Sequence, residues 1–384
     1  MAGAAACGGR TPLLLQSDTT DTASASAPDT FTADSTRASQ IAAGFHHSCA
    51  LLRNGSVECW GNNNCGQLGD GTTIDRVSPV AVPALGGVVE IALGGLHTCA
   101  RLTGGSVNCW GNNNEGQLGD GTVVYHPSPA VVPQLDDVAQ IAAGGDHTCA
   151  RLGDGSVKCW GSNGMGELGD GTEGSPRLSP EVVLGMSDAT HIALGLNHTC
   201  ARTTSGSVTC WGYNHDGQLG DGTTTDRSLP TVVLGLDDPA EIALGLFDTC
   251  ARLRDGSVKC WGYNLNGQLG DGTTTDRALP VTVPGLLALE IAAGTVHTCA
   301  QRTDDSVACW GGNDFGELGD GTTSDRLVPV TVSGLGSVAE LALGHRHTCA
   351  RLVDGSVACW GYNVAGQLGD GTTTDRSTPV SVTW

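Results

Sequence analysis

The chain has 384 residues and a formal net charge of −21, with 40 acidic and 19 basic side chains. Binding to DNA or RNA depends on clustered lysines and arginines that neutralise phosphates, so this composition argues against a nucleic-acid partner. No stretch reaches the ~18 apolar residues that a membrane-spanning helix requires, and we expect no transmembrane segment. The 58 glycines and few aromatic residues favour short strands and tight turns over a helical fold.

Residues 1–39 precede a repetitive region, and we expect them to form a disordered N-terminal tether. Residues 16–39 are rich in Ser, Thr, Ala and Asp and contain little that could be buried. The string AAACGG at residues 4–9 is similar to the end of a bacterial lipoprotein signal, although no basic start or apolar core precedes it. Two interpretations stay open: Cys7 carries a lipid anchor as the remnant of such a signal, or it is an odd thiol.

From residue 40 to residue 384 the chain consists of seven repeats of about 50 residues. Each repeat contains the pattern Cys-x9-Cys-Trp-Gly-x-Asn-x-x-Gly-(Gln/Glu)-Leu-Gly-Asp-Gly-Thr. A fixed period of this length indicates one supersecondary unit copied in space, each copy burying its apolar face against its neighbours. The anchoring tryptophans are Trp60, Trp110, Trp160, Trp211, Trp261, Trp310 and Trp360.

Within the second repeat we predict four strands, at residues 88–94, 97–103, 106–111 and 129–133. The second and third are joined by a glycine-containing turn that is a strong hairpin signal, and a proline begins the fourth, as on an outer edge. Seven such units predict an all-β fold, a single seven-bladed β-propeller of four-stranded antiparallel blades. For ring closure we favour pairing of residues 379–382 with the first unit over closure by packing alone.

Fourteen of the sixteen cysteines form seven pairs with identical spacing. A three-residue hairpin loop would place Cys49 opposite Cys59 at a close, non-hydrogen-bonded position. Two thiolates do not complete a zinc shell, and we favour disulfides over small buried thiols, which indicates export to an oxidising compartment. Whether Cys65 is free stays open. The predicted disulfides are Cys49–Cys59, Cys99–Cys109, Cys149–Cys159, Cys200–Cys210, Cys250–Cys260, Cys299–Cys309 and Cys349–Cys359.

The string WGNNNCGQLG at residues 60–69, preceded by AGFHHS at residues 43–48, resembles the regulator of chromosome condensation repeat family. The resemblance covers all seven units and implies a seven-bladed propeller, but it fixes function poorly, because members of one fold family do unrelated things. The founding exchange factor for a small GTPase is a poor match, since this chain lacks a basic tail and room for a protruding hairpin. Secreted bacterial members with cysteine-paired blades, including a β-lactamase inhibitory protein, are closer; these bind a partner on one face.

Two repeated residue types are candidates for chemistry. Six units place a histidine before Thr/Ser-Cys, and the Gly-Asp-Gly-Thr loops each contain an aspartate such as Asp70. The histidines lie round a wide ring, so we expect hydrogen bonds between blades rather than a shared ion. One aspartate per loop falls short of a calcium site, and capping of its own turn explains it. We predict no catalytic residue, metal or cofactor. The histidines are His47, His97, His147, His198, His297 and His347, and the fifth unit has Asp248 instead.

Two spots differ freely between the repeats: the pair between Gly and His, and the pair after Trp-Gly-x-Asn. Antiparallel strands alternate in direction, so both spots fall on one rim. Aromatic and aliphatic residues in polar loops are typical of interaction hot spots, with loop drift as the alternative. The predicted binding residues are Phe45, His46, Leu96, Met165, Leu246, Phe247, Leu265, Phe315, His345 and Arg346.

These patterns together predict a non-catalytic protein-binding propeller, exported or attached to a surface, that acts as a monomer and engages an unknown protein through its variable rim. Two alternatives stay open. One is a polysaccharide-active enzyme that uses the axial pocket and would need carboxylates or a metal near the axis. The other is a purely structural surface protein.

Overall fold

The computed structural model describes residues 35–384, and in this range seven four-stranded antiparallel units follow one another along the chain. The first strand begins at Ala38, two residues before the boundary placed between residues 39 and 40. Cys7 and most of the predicted tether lie outside the described residues. No helix among residues 35–384 is long and apolar enough to cross a bilayer.

The first four blades contain sixteen strands, numbered in chain order. They are β1 (Ala38–Ala43), β2 (His47–Leu52), β3 (Val57–Gly61) and β4 (Arg76–Ala81) in blade 1; β5 (Val88–Leu93), β6 (His97–Leu102), β7 (Val107–Gly111) and β8 (His126–Val131) in blade 2; β9 (Val138–Ala143), β10 (His147–Leu152), β11 (Val157–Gly161) and β12 (Arg177–Val182) in blade 3; and β13 (Ala189–Leu194), β14 (His198–Thr203), β15 (Val208–Gly212) and β16 (Arg227–Val232) in blade 4.

Blades 5 and 6 share one long strand, which forms the outer strand of the former and the inner strand of the latter. The strands are β17 (Pro239–Leu244), β18 (Asp248–Leu253), β19 (Ser257–Gly262), the shared β20 (Arg277–Ala293), β21 (His297–Arg302), β22 (Val307–Gly311) and β23 (Arg326–Thr331), followed in blade 7 by β24 (Val338–Leu343), β25 (His347–Leu352), β26 (Val357–Gly361) and β27 (Arg376–Ser381).

The C-terminal strand β27 pairs with β26 in its own blade, so the prediction that it would pair with the first unit was wrong. Each blade is complete by itself, and the ring closes by packing. At the closing seam, His347 Nε2 lies 2.9 Å from Ser48 Oγ. Trp60 Nε1 donates to the carbonyl of Gln367 at 2.9 Å, and Trp60 of blade 1 shares one buried cluster with Leu368 and Val382 of blade 7. The fold prediction is confirmed, with closure achieved differently.

The outer strands begin earlier than predicted. In blade 2, β8 starts at His126, so Pro129 lies inside the strand rather than at its start. The outermost strand has no further neighbour in its blade, and the missing N–H of a proline therefore leaves no ladder bond unmade. The proline marks the edge strand correctly but not its first residue.

The seven predicted disulfides are present at the predicted register. Cys49 lies directly opposite Cys59 on β2 and β3, with their Cα atoms 4.1 Å apart. Cys65 is also disulfide-bonded and buried, and the described residues contain no free cysteine, which answers the question left open for this thiol. The other six pairs are Cys99–Cys109, Cys149–Cys159, Cys200–Cys210, Cys250–Cys260, Cys299–Cys309 and Cys349–Cys359.

Neighbouring blades are joined by a buried chain of hydrogen bonds. In the first seam, Thr98 Oγ1 donates to the carbonyl of Gln67 at 2.8 Å, and Trp110 Nε1 donates to the same carbonyl at 3.0 Å. His47 Nε2 lies 3.0 Å from Thr98 Oγ1. Because the hydroxyl proton goes to the carbonyl, the histidine must donate from Nε2. Burial lowers the pKa of His47 to about 3, so the ring is neutral.

The same histidine contact recurs in five further seams, which confirms the predicted hydrogen bonds between blades. The distances between histidine Nε2 and the hydroxyl of the next blade are 2.8–3.0 Å. These histidines are His97, His147, His198, His297 and His347.

The Gly-Asp-Gly-Thr loops are held by their own aspartates, as predicted. Asp70 Oδ1 accepts from the N–H and the hydroxyl of Thr72 at 2.9 and 2.7 Å. Its Oδ2 accepts from Arg76 Nε at 3.0 Å. Both carboxylate oxygens therefore serve to fix the loop against the outer strand.

The seam between blades 5 and 6 departs from this pattern. Asp248 replaces the histidine, is fully buried, and neither of its carboxylate oxygens has a hydrogen-bond partner. Burial raises its pKa well above the usual range of an aspartate. Thr298, the hydroxyl that a histidine would reach, still donates to the carbonyl of Gln268 at 2.9 Å. This seam therefore lacks one bond and contains an uncompensated carboxyl group.

We expect Asp248→His to stabilise the protein. The histidine would donate to Thr298 as in the other seams, and an unsatisfied buried polar group costs roughly 1–3 kcal/mol. The gain in free energy of unfolding should be larger at pH 8 than at pH 5. The raised pKa of Asp248 means that the native state with the aspartate loses stability as the pH rises above about 4, the unfolded value. Denaturant unfolding at both pH values measures this.

Asp248→Asn is the matched control for Asp248→His. It removes the charge and its pH dependence but does not restore the histidine bond, so we expect a smaller gain. If the histidine variant is no more stable than the parent protein, the buried aspartate of this seam does not carry the expected cost of an unsatisfied polar group.

Candidate functional site

The two variable spots of each repeat lie side by side on one face of the ring, as predicted; we call this the variable face. A backbone N–H in the loop after the third strand donates a hydrogen bond to a carbonyl in the loop between the first and second strands of the same blade. In blade 1, Asn62 N donates to the carbonyl of His46 at 2.8 Å, and in blade 5, Tyr263 N donates to the carbonyl of Phe247 at 3.0 Å. The opposite face carries the turns between the second and third strands, and we call it the turn face.

A cavity of about 90 Å³ lies on the axis at the variable face. Its floor is a ring of glycines, one from each blade, packed so closely that a Cβ on Gly44 would lie 2.5 Å from the carbonyl oxygen of Gly94. The residue after each glycine lines the cavity, so the first member of the variable pair decides its chemistry. These residues are Phe45, Gly95, Gly145, Leu196, Leu246, Thr295 and His345.

One aromatic cluster spans the closing seam, where blades 6, 7 and 1 meet. Phe45 and His46 stack against His345, with ring centroids 5.6 and 5.2 Å apart. The rings of His46 and Phe315 lie 5.9 and 4.8 Å from that of Tyr362. Burial, with His46 and Arg346 nearby, lowers the pKa of His345 to about 4, so the cluster is uncharged at this position.

The cluster also carries a cation. The guanidinium carbon of Arg346 lies 5.0 Å from the ring centroid of Phe315, and its Nη1 pairs with Asp314 at 3.2 Å. An arginine over an aromatic face is held by the ring quadrupole and still presents hydrogen-bond donors. We define cluster A as Phe45, His46, Phe315, His345, Arg346 and Tyr362.

A second aromatic cluster lies on blades 4 and 5. The ring of Phe247 is 5.6 Å from Tyr213 and 6.2 Å from Tyr263, and Tyr213 is 4.7 Å from His215. Phe247 follows the cavity-lining Leu246 in the chain, so this cluster also adjoins the axial cavity. We define cluster B as Tyr213, His215, Phe247 and Tyr263.

The remaining predicted residues lie outside the two clusters. Leu265 is the most exposed of them, with 63% of its surface accessible. Leu96 and Met165 are half-buried in the loops of blades 2 and 3. The structure thus brings together five of the ten predicted residues in cluster A and two at or beside cluster B.

An acidic sector of the variable face was missed by the sequence reasoning. Burial, with Glu115 and Glu167 nearby, raises the pKa of Asp146 to about 6. Gln117 Nε2 donates to Asp146 Oδ1 at 2.8 Å. Asp146 and Glu115 fall at the variable spots of blades 3 and 2, so their position was visible in the sequence, but the predicted binding residues are mainly apolar and aromatic.

The strand order, the closure between blades 7 and 1, and the single variable face define the chain as a seven-bladed β-propeller of the repeat type. Its sequence matches the regulator of chromosome condensation (RCC1) repeat over residues 54–101, 104–151, 154–202, 205–251, 255–301, 304–351 and 354–384. A second description of the same repeat matches six further stretches between residues 38 and 367. The chain belongs to the RCC1 repeat family.

Solved structures share the fold at low sequence identity. Human WBSCR16 superposes with a TM-score of 0.77 and 23% identity, covering 86% of this chain and 94% of that one. Yeast RCC1 (Prp20), solved bound to Kap60, gives a TM-score of 0.75 and 22% identity, covering 97% and 91%. A 51-residue stretch is 49% identical to the E3 ubiquitin-protein ligase MYCBP2 of Danio rerio, covering 13% of this chain and 1% of that protein's length.

Proposed function

We propose that this protein is a non-catalytic binding propeller, exported or attached to a surface, that engages a protein partner through its variable face. The observation that carries the proposal is the position of clusters A and B beside the axial cavity. Half-buried aromatic side chains next to an apolar depression resemble the anchors of protein interfaces, where Tyr, Phe, Trp and Arg are enriched.

The use of residues within each repeat supports the same proposal. The repeated Trp, His, Cys and Asp side chains are engaged in seams, disulfides and loops. The side chains of the variable pairs, apart from the disulfide-bonded Cys65, do not belong to this repeated scaffold. Aromatic residues are scarce in this chain, with four Phe and four Tyr in total. Three of each belong to clusters A and B or lie on the variable face, so their position there is not a by-product of composition.

The lining of the axial cavity favours binding over polysaccharide chemistry. Glycosidases need a pair of carboxyl groups at the reacting bond. Of the residues that line the described cavity, His345 is the one that titrates, and the others are Gly, Ala, Leu, Phe and Thr. An apolar cavity of this kind suits an inserted side chain of a partner.

The proposed location rests on the disulfides. Seven buried bridges persist in oxidising compartments and are rare where thioredoxin and glutathione keep thiols reduced. The residues that precede β1 are proposed to act as the tether to a surface. Yeast RCC1 was solved with a bound protein, Kap60, which is the kind of use proposed here for an unrelated partner.

The test replaces one aromatic anchor in each cluster, Phe247→Ala together with Phe315→Ala. A partner is first identified by photo-crosslinking from the exposed position Leu265 in extracellular and envelope extracts, and its affinity is then measured with both purified proteins. Loss of one hot spot of about 2 kcal/mol weakens binding about 30-fold, so loss of both should weaken it by at least that factor, and by about 1,000-fold if the two effects add. The thermal midpoint should change little, because the clusters lie outside the seven buried cores.

Val131→Ala with Leu229→Ala is the matched control, since these side chains are exposed on outer strands, 64% and 46% accessible. We expect this control to bind like the parent protein. Unfolding of the Phe247/Phe315 variant would identify these side chains as core, and unchanged affinity would move the interface off the variable face.

A further inference from the structure

One pair of facing positions differs from blade to blade in an informative way. On the first two strands, residues such as Glu90 and Arg101 lie directly opposite each other. Blades 2, 5 and 7 have a Glu–Arg pair here, and the others do not. The seven pairs are Gln40–Leu51, Glu90–Arg101, Gln140–Arg151, His191–Arg202, Glu241–Arg252, Glu290–Gln301 and Glu340–Arg351.

In the Glu–Arg blades the carboxylate satisfies two donors. Arg351 Nε donates to Glu340 Oε2 at 2.9 Å, and Ile41 N of the next blade donates to the same oxygen at 3.1 Å. The glutamates of blades 2 and 5 make the same two kinds of contact. The carboxylate thus joins an arginine to the inner strand of the neighbouring blade.

Blades 3 and 4 keep the arginines but lack the carboxylates. Arg151 faces Gln140, and Arg202 faces His191. The Nε atoms of both arginines are buried without a hydrogen-bond partner among the described residues. Both side chains are half-buried, and Arg151 donates from Nη1 to the carbonyl of Leu152 at 3.4 Å. A buried Nε without an acceptor is nevertheless costly, because this N–H has lost hydration without gaining a hydrogen bond.

At the position where other blades have a glutamate, His191, opposite Arg202, presents an N–H donor, Nε2. Gln140 Nε2 lies 3.1 Å from His191 Nδ1, and Gln140 Oε1 accepts from Ile192 N at 3.0 Å. The amide nitrogen can only donate, so Nδ1 accepts and the proton of the ring is on Nε2. Burial, with Arg202 and Arg151 nearby, lowers the pKa of His191 to about 4, so the ring stays neutral.

The inner strand of blade 5 also has a backbone N–H for which blade 4 supplies no carboxylate. Ile242 has the same register as Ile41, whose N–H binds Glu340. Within residues 35–384, no side chain accepts from Ile242 N. Arg202 Nε, His191 Nε2 and Ile242 N are therefore three donors in the region where another blade would place a carboxylate.

We propose that Arg202, His191 and the N–H of Ile242, with Arg151 beside them, form a binding site for a small carboxylate. The ligand would replace the glutamate carboxylate that blades 2, 5 and 7 supply from their own chain. A planar carboxylate fits because an arginine fork matches its two oxygens. This site belongs to the inner strands, away from the variable face, and is independent of the proposed protein binding.

A depression of about 410 Å³ on the turn face adjoins the residues next to this site. Arg151 and Thr190, the residue before His191, line it. Asp154 and Asp188 also line its mouth, so the entrance is not uniformly positive. Asp188 accepts from Thr204 Oγ1 at 3.3 Å, and Asp154 caps the turn at Ser156. These two carboxylates are engaged by hydroxyl and amide donors of the turn face.

The test measures binding of succinate to the full chain in low-chloride buffer, by calorimetry and by the thermal midpoint, with inorganic phosphate as a second probe. We expect one succinate per chain, a raised thermal midpoint and weaker binding of phosphate. Arg202→Gln should weaken succinate binding at least tenfold. Arg351→Gln, which removes an arginine already paired with Glu340, should leave it within twofold of the parent protein.

His191→Glu keeps the test decisive even where Arg202→Gln fails to fold. It supplies the missing carboxylate within the chain, so the variant should be more stable than the parent protein without ligand and should bind succinate at least tenfold more weakly. Absence of succinate binding by the parent protein would overturn the proposal. Equal succinate binding by the parent protein and the His191→Glu variant would contradict the assigned site. Tighter binding of phosphate than of succinate would contradict the assigned ligand class.

Discussion

Lowering the pH from about 7 to about 5 is expected to reduce the free energy of unfolding by several kcal/mol. The five seam histidines at residues 47, 97, 147, 198 and 297 have pKa values of about 3, and that of His347 is lowered further, because all six are buried. An unfolded histidine binds a proton below about 6.5, whereas the folded one does not. The stabilising effect of each neutral histidine is therefore complete above about 6.5 and is lost as the pH falls towards 3.

The four buried carboxyl groups with the largest upward pKa shifts oppose this trend without cancelling it. Burial raises the pKa of Asp146 to about 6 and those of Glu290 and Glu317 to about 7, and raises that of Asp248 strongly. These groups bind protons in the folded state first, so they favour folding as the pH falls. His191 and His345, with pKa values of about 4, act with the six seam histidines. Six further carboxyl groups with smaller upward pKa shifts act in the same direction as these four, whereas the seven loop aspartates of the Asp70 type, whose pKa values are lowered, act with the histidines. The eight large histidine shifts outweigh the four large carboxyl shifts, and acid is expected to destabilise the fold.

His97→Gln isolates the contribution of one histidine. The glutamine amide can donate to Thr148 in place of the ring but does not titrate. Between about pH 6 and 4 the slope of unfolding free energy against pH should fall by about 1.4 kcal/mol per pH unit. The control is His215→Gln, since His215 has 64% of its side chain exposed. Equal slopes for His97→Gln and the parent protein would show that the seam histidines are not the proton acceptors of acid unfolding.

Full reduction of the disulfides is expected to remove most of the stability of the folded chain. Each bridge joins two cysteines that are ten positions apart, and a loop of this size contributes roughly 2–3 kcal/mol through the entropy of the unfolded chain. Seven bridges together are comparable with the whole stability of a typical domain, although such values do not simply add. Denaturant unfolding before and after reduction measures the difference.

The burial of the disulfides should also limit how fast a reductant reaches them. The paired cysteines are buried, so a thiol reductant should act slowly on the native protein and rapidly in denaturant. The double variant Cys99→Ala with Cys109→Ala gives the contribution of one bridge, expected to be about 2–3 kcal/mol. A free-thiol count on the denatured, unreduced protein should find two thiols or fewer. Fourteen or more would remove both the bridges and the inference of export.

The sequence predicted the blade well because nearly every contact within it is local. The hairpin from Cys49 to Cys59 is set by a turn of a few residues, so spacing alone fixed the register and the disulfide. The start of each outer strand was less predictable. It lies after a long loop and depends on the pairing of Arg76 with Asp70, which the repeat pattern does not reveal.

The site was predictable in its residues but not in its groupings. The aromatic residues of the variable spots were visible in the sequence, yet Phe45 meets His345 only because blade 7 packs against blade 1. The proposed carboxylate site was invisible for the same reason. His191 and Arg202 face each other across two strands, and their significance appears only beside Ile242 of the next blade.

By itself the sequence determined the repeat, the number of blades, the hairpins, the disulfides and the face on which variation collects. These features depend on residues that are close in the sequence, and the sevenfold repetition of the pattern makes them easy to recognise. The tertiary structure alone decided how the ring closes. The seven repeats have the same pattern, so the sequence does not indicate whether the last strand pairs within its own blade or with the first one. It also decided which side chains of different blades become neighbours, since those contacts form between residues about 50 or 300 positions apart.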